Sequence, residues 1–231
     1  MIMKLNISFL LFFLLIPMVN SNEEEKESDE FEYSALGINF VQTDKTELGL
    51  KISIPLPGNL YLVGERNAED IDIENDSYER IINSVRLGVH AGIGDIFSSI
   101  SSNGIQIDIA NIFDVYTEIG IKSTAYETDI NSFSEDDSQA NVIAGIRFGN
   151  PNGWEGNVFL DLSKDSEIKI KECPINQVCT EAIEYELNDK TDSKFGAGVL
   201  YNINKRSAVK VEMISSDIFD TAIKIGYQLN F

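Results

Sequence analysis

The 231-residue chain contains a single histidine, His90, which is its natural candidate for general acid–base chemistry. Ser84 lies on the same face of a segment that alternates like a β-strand, but six residues along a strand span about 20 Å, far beyond hydrogen-bonding distance. Asp114 or Asp161 could approach His90 from other segments of the chain. Because no nucleophile motif accompanies these residues, we expect no catalytic residue, and an enzyme that uses His90 remains an alternative.

The two cysteines, Cys173 and Cys179, flank the short sequence PINQV inside a long acidic segment. If the chain is exported, both thiols reach an oxidising compartment, where a disulfide forms readily and would tether the segment. Two cysteines and one histidine are too few ligands for a structural metal site. We therefore expect a disulfide between Cys173 and Cys179, no metal site and no cofactor.

Three long polar segments, residues 67–80, 127–139 and 164–193, are rich in aspartate and glutamate. Hard divalent cations prefer carboxylate oxygens, so weak binding of such cations at these segments is one hypothesis. Residues 70–76 (DIDIEND) lack the glycine and the terminal glutamate of an EF-hand loop. We therefore expect mainly a solvated acidic surface.

The net charge of −20 excludes one class of partner. A field of this sign repels phosphate backbones, so we expect no nucleic-acid binding. Residues 23–30, 67–80, 127–138 and 163–194 together hold eighteen of the twenty net negative charges. The rest of the chain is nearly neutral, and a hydrophobic content of 43% is too high for a disordered protein.

The first thirty residues have the features of an export signal. Lys4 precedes a mostly apolar run over residues 5–19, Pro17 interrupts this run, and small or tolerated residues follow as far as Ser21. The run is shorter than the roughly 20 residues that a transmembrane helix needs. We therefore expect residues 1–21 to be a cleaved signal peptide and residues 22–30 to be an acidic N-terminal tail.

Beyond residue 30, apolar and polar residues alternate with a period of two, which is typical of strands with two different faces. The clearest case is the C-terminus, where apolar residues occupy every second position from Ile223 to Phe231. A count of eight strands stays open, and the path of residues 93–111 is not assigned. The alternation predicts ten strands, at residues 33–42, 47–55, 59–66, 81–92, 112–127, 139–149, 154–165, 193–203, 207–215 and 220–231.

The spacers between these strands indicate how the strands are arranged. Short spacers with Gly, Pro or Asn largely alternate with the long acidic segments. Short turns at one end and long loops at the other are the layout of an antiparallel transmembrane β-barrel. We therefore predict an all-β barrel of eight to ten strands over residues 31–231. A soluble periplasmic β-sandwich also has alternating strands at regular spacing and is the alternative fold.

A family resemblance rests on the last strand. An aromatic residue at the chain end, preceded by alternating apolar residues, resembles the terminal assembly signal of Gram-negative outer-membrane proteins: Ile223, Ile225, Tyr227, Leu229 and Phe231. Over residues 31–231 the chain resembles a small outer-membrane β-barrel protein. The resemblance implies an outer-membrane location, periplasmic turns and extracellular acidic loops. It also implies export by the general secretion route, insertion by the barrel-assembly machinery, contact with outer-membrane lipids and a monomeric state.

The polar face of each strand would then point into the barrel. A barrel of eight to ten strands has an interior filled by side chains, and charges inside it persist when they are matched. We therefore expect a salt-bridged, water-poor lumen network of Lys51, Glu65, Arg86, His90, Asp114, Glu118, Lys122, Arg147, Asp161, Lys210, Glu212 and Lys224.

These features together predict a non-enzymatic outer-membrane protein with a structural or surface-interaction role. A narrow porin-like channel is one alternative, because charged rings in a lumen can select ions. The others are a lipid-modifying outer-membrane enzyme that uses His90 and a soluble periplasmic β-sandwich.

Overall fold

The computed structural model describes residues 31–42, 46–73, 76–93, 113–127, 132–134, 139–170, 185–217 and 221–231. The predicted signal peptide 1–21, the acidic tail 22–30 and both cysteines, Cys173 and Cys179, lie outside these residues. In the part of the chain that is described, no helix is long and apolar enough to cross a membrane.

The described residues form antiparallel β-strands that follow one another along the chain. Their bounds are β1 Ala35–Gln42, β2 Thr46–Leu56, β3 Leu60–Ile73, β4 Asp76–Gly92, β5 Phe113–Glu127, β6 Ser132–Ser134, β7 Gln139–Gly149, β8 Trp154–Ile170, β9 Tyr185–Asn204, β10 Ser207–Ser215 and β11 Ala222–Asn230.

The sheet closes on itself. Each strand from β1 to β5 pairs with the next, β5 pairs with β7, the pairing continues through β11, and β11 pairs with β1. The short β6 pairs only with the distal end of β5, where Ala125 lies opposite Ser134. The molecule is therefore a closed, ten-stranded antiparallel barrel, so the alternatives of eight strands and of a β-sandwich are wrong.

Residues 31–34 and the C-terminal Phe231 lie at one end of the barrel, called the terminal end here; the opposite end is the distal end. Residues 57–59, 150–153 and 205–206 make short connections at the terminal end. Positive φ angles explain the glycines at Gly58 (77°), inside the first of these connections, and at Gly149 (112°), directly before the second. β4 ends and β5 begins at the same end, but the twenty residues 93–112 separate them in the chain, so this pair of strands is an exception to the short spacing.

The acidic segments at the distal end contain more strand residues, and fewer loop residues, than the sequence predicts. β3 continues past its predicted end to Ile73, and β4 begins before its predicted start, at Asp76. In the same way, β8 continues to Ile170 and β9 begins at Tyr185. Acidic residues are frequent in these extensions, but pairing with the neighbouring strand satisfies their backbone groups. Residues 67–73, 76–80, 166–170 and 185–192 are therefore strands, although they lie outside the predicted strands.

The barrel has the reverse polarity of a water-soluble protein. Among the described residues, thirty large apolar side chains are exposed, whereas seventeen polar or charged residues and only nine apolar residues are buried. Soluble proteins bury mainly apolar side chains and rarely expose a continuous apolar surface. This distribution is that of a transmembrane barrel whose outer surface faces lipid.

The outward apolar side chains form a continuous belt. On β5 the belt runs from Phe113 to Ile121, and on β9 it runs from Phe195 to Ile203, with Ser193 beyond its distal edge. Nine strand residues tilted as in other barrels span about 20 Å along the membrane normal. This height is close to the apolar band of about 25 Å that is typical of outer-membrane barrels.

Aromatic side chains mark the terminal edge of the belt. Trp154 and Tyr201 are paired across β8 and β9 with ring centroids 4.5 Å apart, and Phe113 and Phe148 are paired across β5 and β7 at 6.2 Å. Trp154 is 63% exposed. Such rings are favoured at the membrane–water interface.

Candidate functional site in the barrel lumen

The lumen contains a cavity of about 250 Å³. Ten of the twelve residues predicted to face the lumen line this cavity. The other two, His90 and Asp114, form a pair at the terminal end. At about 30 Å³ per water molecule, the cavity has room for on the order of ten waters, so the lumen is not packed solid.

Four residues form a chain of ion pairs across the lumen, named the transverse chain below. Lys224 Nζ lies 2.9 Å from Glu65 Oε1, and Glu65 Oε2 lies 2.8 Å from Arg86 Nη2. Arg86 Nε in turn lies 2.7 Å from Glu118 Oε2. Lys224 is on β11 and Glu118 is on β5, five places apart in the ring of ten strands. The transverse chain therefore joins opposite walls of the barrel.

Neutral side chains support the transverse chain. Tyr61 donates a hydrogen bond of 3.1 Å to Glu118, and Arg86 donates one of 2.5 Å to Ser84. Arg86 is only 4% exposed, so its two carboxylate partners replace the water it has lost.

Two aromatic rings lie directly over glycines of the neighbouring strands. Tyr61 is paired with Gly88, and Tyr116 is paired with Gly145. A Cβ added at Gly145 would lie 2.5 Å from the Tyr116 ring, and one at Gly88 would overlap the Tyr61 ring. The absence of a side chain at both glycines is what allows the rings to lie flat inside the narrow lumen.

Polar contacts continue toward the distal end. Lys122 donates a hydrogen bond of 3.1 Å to Ser163, and Asn141 donates one of 2.8 Å to Asp161. Asp192, which is fully buried, lies 3.3 Å from Lys194. Asp192 also accepts hydrogen bonds from the Ser216 hydroxyl and from the Asp217 amide. These bonds hold the start of the β10–β11 connection against the lumen.

Residues 31–34, named the N-terminal strap below, cross the terminal end of the lumen. Their far contact is Arg147 on β7, which is five places from β1 around the ring. Arg147 Nη1 donates to the Glu32 carbonyl at 2.8 Å, and its guanidinium lies 5.1 Å and 4.7 Å from the ring centroids of Phe31 and Tyr33. Arg147 is itself paired with Glu155 at 2.5 Å.

Tyr33 is the central residue of the strap. Its hydroxyl donates to Asp114 Oδ2 at 2.9 Å, and its ring stacks on His90 with the centroids 4.1 Å apart. The Tyr61 ring lies on it at an angle of 33°, with the centroids 4.4 Å apart. Burial raises the pKa of the Tyr33 hydroxyl, so this group stays protonated as the donor. Ser53 donates to the Tyr33 carbonyl at 2.5 Å. The strap is therefore hydrogen-bonded to β2, β5 and β7 and stacked on β4.

The strap also joins the start of β1 to the C-terminal residue. The Phe231 amide donates to the Ser34 carbonyl at 3.3 Å, and the Ser34 hydroxyl donates to the Phe231 carbonyl. The β1–β11 seam thus begins directly at the strap. The remaining residues of the predicted assembly signal lie on β11, where Ile223, Ile225 and Tyr227 are exposed on the belt.

His90 is engaged by the strap rather than by a nucleophile. Its Nδ1 lies 3.2 Å from Asp114 Oδ2 and its ring is stacked on Tyr33. Ser84 instead accepts from Arg86, and Asp161 accepts from Asn141. Of the two aspartates that could approach His90, the structure brings Asp114 to it.

Sequence reasoning missed several lumen residues. Each of these residues lies at an even number of positions from an inward-facing residue of its own strand, so the alternation could have identified it. The missed residues are Tyr61, Tyr116, Asn157, Glu155, Asp192 and Lys194. The strap has no such signal, because residues 31–34 precede β1 and are not part of a strand.

Comparisons with known proteins add a likeness of architecture. No protein-family model matches the chain, and no curated protein matches it. The chain is similar to the solved structure of the KdgM porin, with 10% identity, a TM-score of 0.40 and coverage of 85% of this chain and 99% of that chain. A KdgM porin in complex with disordered oligogalacturonate gives 9% identity and a TM-score of 0.36, with coverage of 85% and 99%.

A third solved structure is the β domain of the Bordetella autotransporter BrkA, with 11% identity, a TM-score of 0.31 and coverage of 85% of this chain and 97% of that chain. The outward apolar belt and the charged interior, rather than these likenesses, identify the chain as a small barrel of the outer-membrane type.

Proposed function

We propose that the protein is a non-enzymatic outer-membrane barrel with a closed lumen, and that its role is structural or depends on contacts at its distal surface. The apolar belt supports residence among outer-membrane lipids. The β3–β4 and β8–β9 hairpins extend beyond the belt, which supports a role at the surface. Their acidic residues are candidates for weak binding of divalent cations.

The transverse chain is the observation that carries the closed lumen. Three consecutive ion pairs of 2.7–2.9 Å link Lys224 on one wall to Glu118 on the opposite wall. Breaking such a chain to admit a solute leaves a buried charge without its partner, which is strongly unfavourable. The N-terminal strap supports closure independently, because it crosses the lumen at the terminal end.

Planar-bilayer recordings test this proposal. We expect the wild-type barrel to give no conductance steps. A double variant, Glu65→Ala with Arg86→Ala, removes the two central side chains and should give measurable conductance, which shows that the assay detects an open lumen. Conductance steps from the wild-type protein would overturn the closed-lumen proposal.

A narrow channel is the second candidate function, and the cavity of about 250 Å³ favours it. If the wild type conducts, ion selectivity should change when a cavity-lining charge is neutralised, for example in Lys122→Met. Under the closed-lumen proposal the same variant stays silent.

The proposal also includes the route to the membrane. We propose that residues 1–21 are removed on export and that the barrel-assembly machinery reads β11. Detergent-extracted protein should migrate anomalously on gels unless boiled, and its N-terminal sequence should start after Ser21. A lipid-modifying enzyme would instead alter lipid A in an expressing strain, and His90→Ala would abolish that change.

A further inference from the structure

Lys51 differs from its neighbouring cations in the lumen. It lies on β2, faces the cavity and is only half-buried. Lys210, Lys224 and Arg86 each have a carboxylate oxygen within 2.9 Å. Lys51 forms no side-chain hydrogen bond or ion pair with the residues that the structure describes, although it is electrostatically coupled to Glu118, Lys210, Glu65 and Arg86.

The charges around Lys51 do not balance. Four cations surround this part of the cavity, namely Lys51, Arg86, Lys210 and Lys224. They face three carboxylates, which are Glu65, Glu118 and Glu212. The carboxylates are already engaged: Glu65 by Arg86 and Lys224, Glu118 by Arg86, and Glu212 by Lys210. Four against three leaves one positive charge, and the unpaired group is Lys51.

The wall beside Lys51 leaves space for a ligand. Gly37 on β1 is directly paired with Lys51, and both residues line the cavity. A Cβ added at Gly37 would meet no atom closer than 3.7 Å, so a group the size of a methyl would fit there in ordinary van der Waals contact. Lys51, Gly37 and the Lys210–Glu212 pair therefore line the same cavity, and the recess beside Lys51 is the space next to Gly37.

An uncompensated ammonium inside a barrel is unfavourable unless water or an anion takes the place of a carboxylate. Water molecules hydrogen-bond to the ammonium but do not neutralise its charge, whereas an anion accepts hydrogen bonds from the ammonium and also neutralises it. We infer that the recess beside Lys51 binds one small monovalent anion, either chloride or a short carboxylate such as acetate. This anion site goes beyond the closed-lumen proposal, because an anion can bind in a lumen that does not conduct.

The net charge of the cluster around Lys51 defines the charge of the ligand. A single negative charge brings the cluster to neutrality, whereas a divalent anion would leave an excess negative charge beside Glu65 and Glu212. Lys51 supplies three rotatable donors, and Lys210 lies close enough to add to the positive potential. A halide or a carboxylate can accept such charge-assisted hydrogen bonds.

Nuclear magnetic resonance on the detergent-folded, full-length barrel tests the inference with two probes. The first probe is chloride, followed by the ³⁵Cl line width, and the second is ¹³C-labelled acetate, followed by its shift and line width. We expect saturable binding of at least one of them. In Lys51→Met the affinity should fall about ten- to a hundredfold, the factor expected when a hydrogen bond to a charged group is removed.

Lys164→Met is the matched control, because Lys164 is an exposed lysine on β8 outside the lumen. This variant should bind both probes as the wild type does. Heat-modifiable migration verifies that each variant is folded, and Lys51→Gln replaces Lys51→Met if the latter does not fold. No saturable binding of either anion, or equal binding by wild type and the Lys51 variant, would overturn the inference. Such a result would leave the closed-lumen proposal intact, because that proposal is tested by conductance.

Discussion

Replacing Arg86 should have a large effect on stability, because one guanidinium connects both carboxylates at the centre of the transverse chain. In Arg86→Met, Glu65 retains Lys224 and Glu118 retains Tyr61, but both carboxylates lose their contacts of 2.8 Å and 2.7 Å with the arginine. Arg86 is 4% exposed, so water does not readily replace it. Removing one partner of a buried ion pair typically lowers the free energy of unfolding by about 3–5 kcal/mol.

Urea unfolding in lipid vesicles, followed by heat-modifiable gel migration, measures this effect. The control is Arg206→Met, since Arg206 is exposed in the β9–β10 turn and its loss should change the free energy of unfolding by less than about 0.5 kcal/mol. A double variant that also carries Glu118→Gln should recover part of the loss, because Glu118 is the carboxylate that loses its cation, whereas Glu65 retains Lys224. A loss below about 1 kcal/mol in Arg86→Met, within the range of an exposed pair, would refute the assignment of the transverse chain as a buried network.

Three further predictions concern the strap, the glycine contacts and the seam. Tyr33→Ala should lower the free energy of unfolding by about 3–5 kcal/mol, as expected for a large buried aromatic ring, and speed hydrogen exchange at the terminal end; unchanged exchange would contradict the strap. Gly145→Ala should cost about 1–3 kcal/mol by displacing the Tyr116 ring, and Tyr116→Ala in the same chain should remove most of that cost in a double-mutant cycle. Deleting Phe231 removes its bonds to Ser34 and the terminal aromatic group, so a smaller heat-modifiable fraction is expected in membranes; wild-type levels would argue against the assembly signal.

Strand positions and their faces could be predicted because the backbone period of a strand is two. Lys51, Arg86 and Lys224 were placed on the inward face from alternation alone, and all three line the lumen cavity. The prediction failed for the distal parts of β3 and β9, because their many acidic residues indicate a solvated loop, although apolar residues still alternate there at Ile71 and Ile73 and at Tyr185 and Leu187.

The ring closure could not be predicted from local pattern. Alternation is the same in a sandwich and in a barrel, and only the pairing of β1 with β11 removes the sheet edges. Closure also determines which charges meet: Lys224 reaches Glu65, although 159 residues separate them in the chain.

The sequence by itself determined the two faces of each strand, the concentration of negative charge in a few segments and the aromatic residue that follows β11. These properties depend on residue order and on a fixed backbone period. The tertiary structure alone decided the transverse chain, the unpaired Lys51 and the strap across the terminal end, where Tyr33 meets Asp114 from 81 residues away. The physical reason is that a lumen exists only after ten strands have closed, so its contacts join residues with no local relation in the chain.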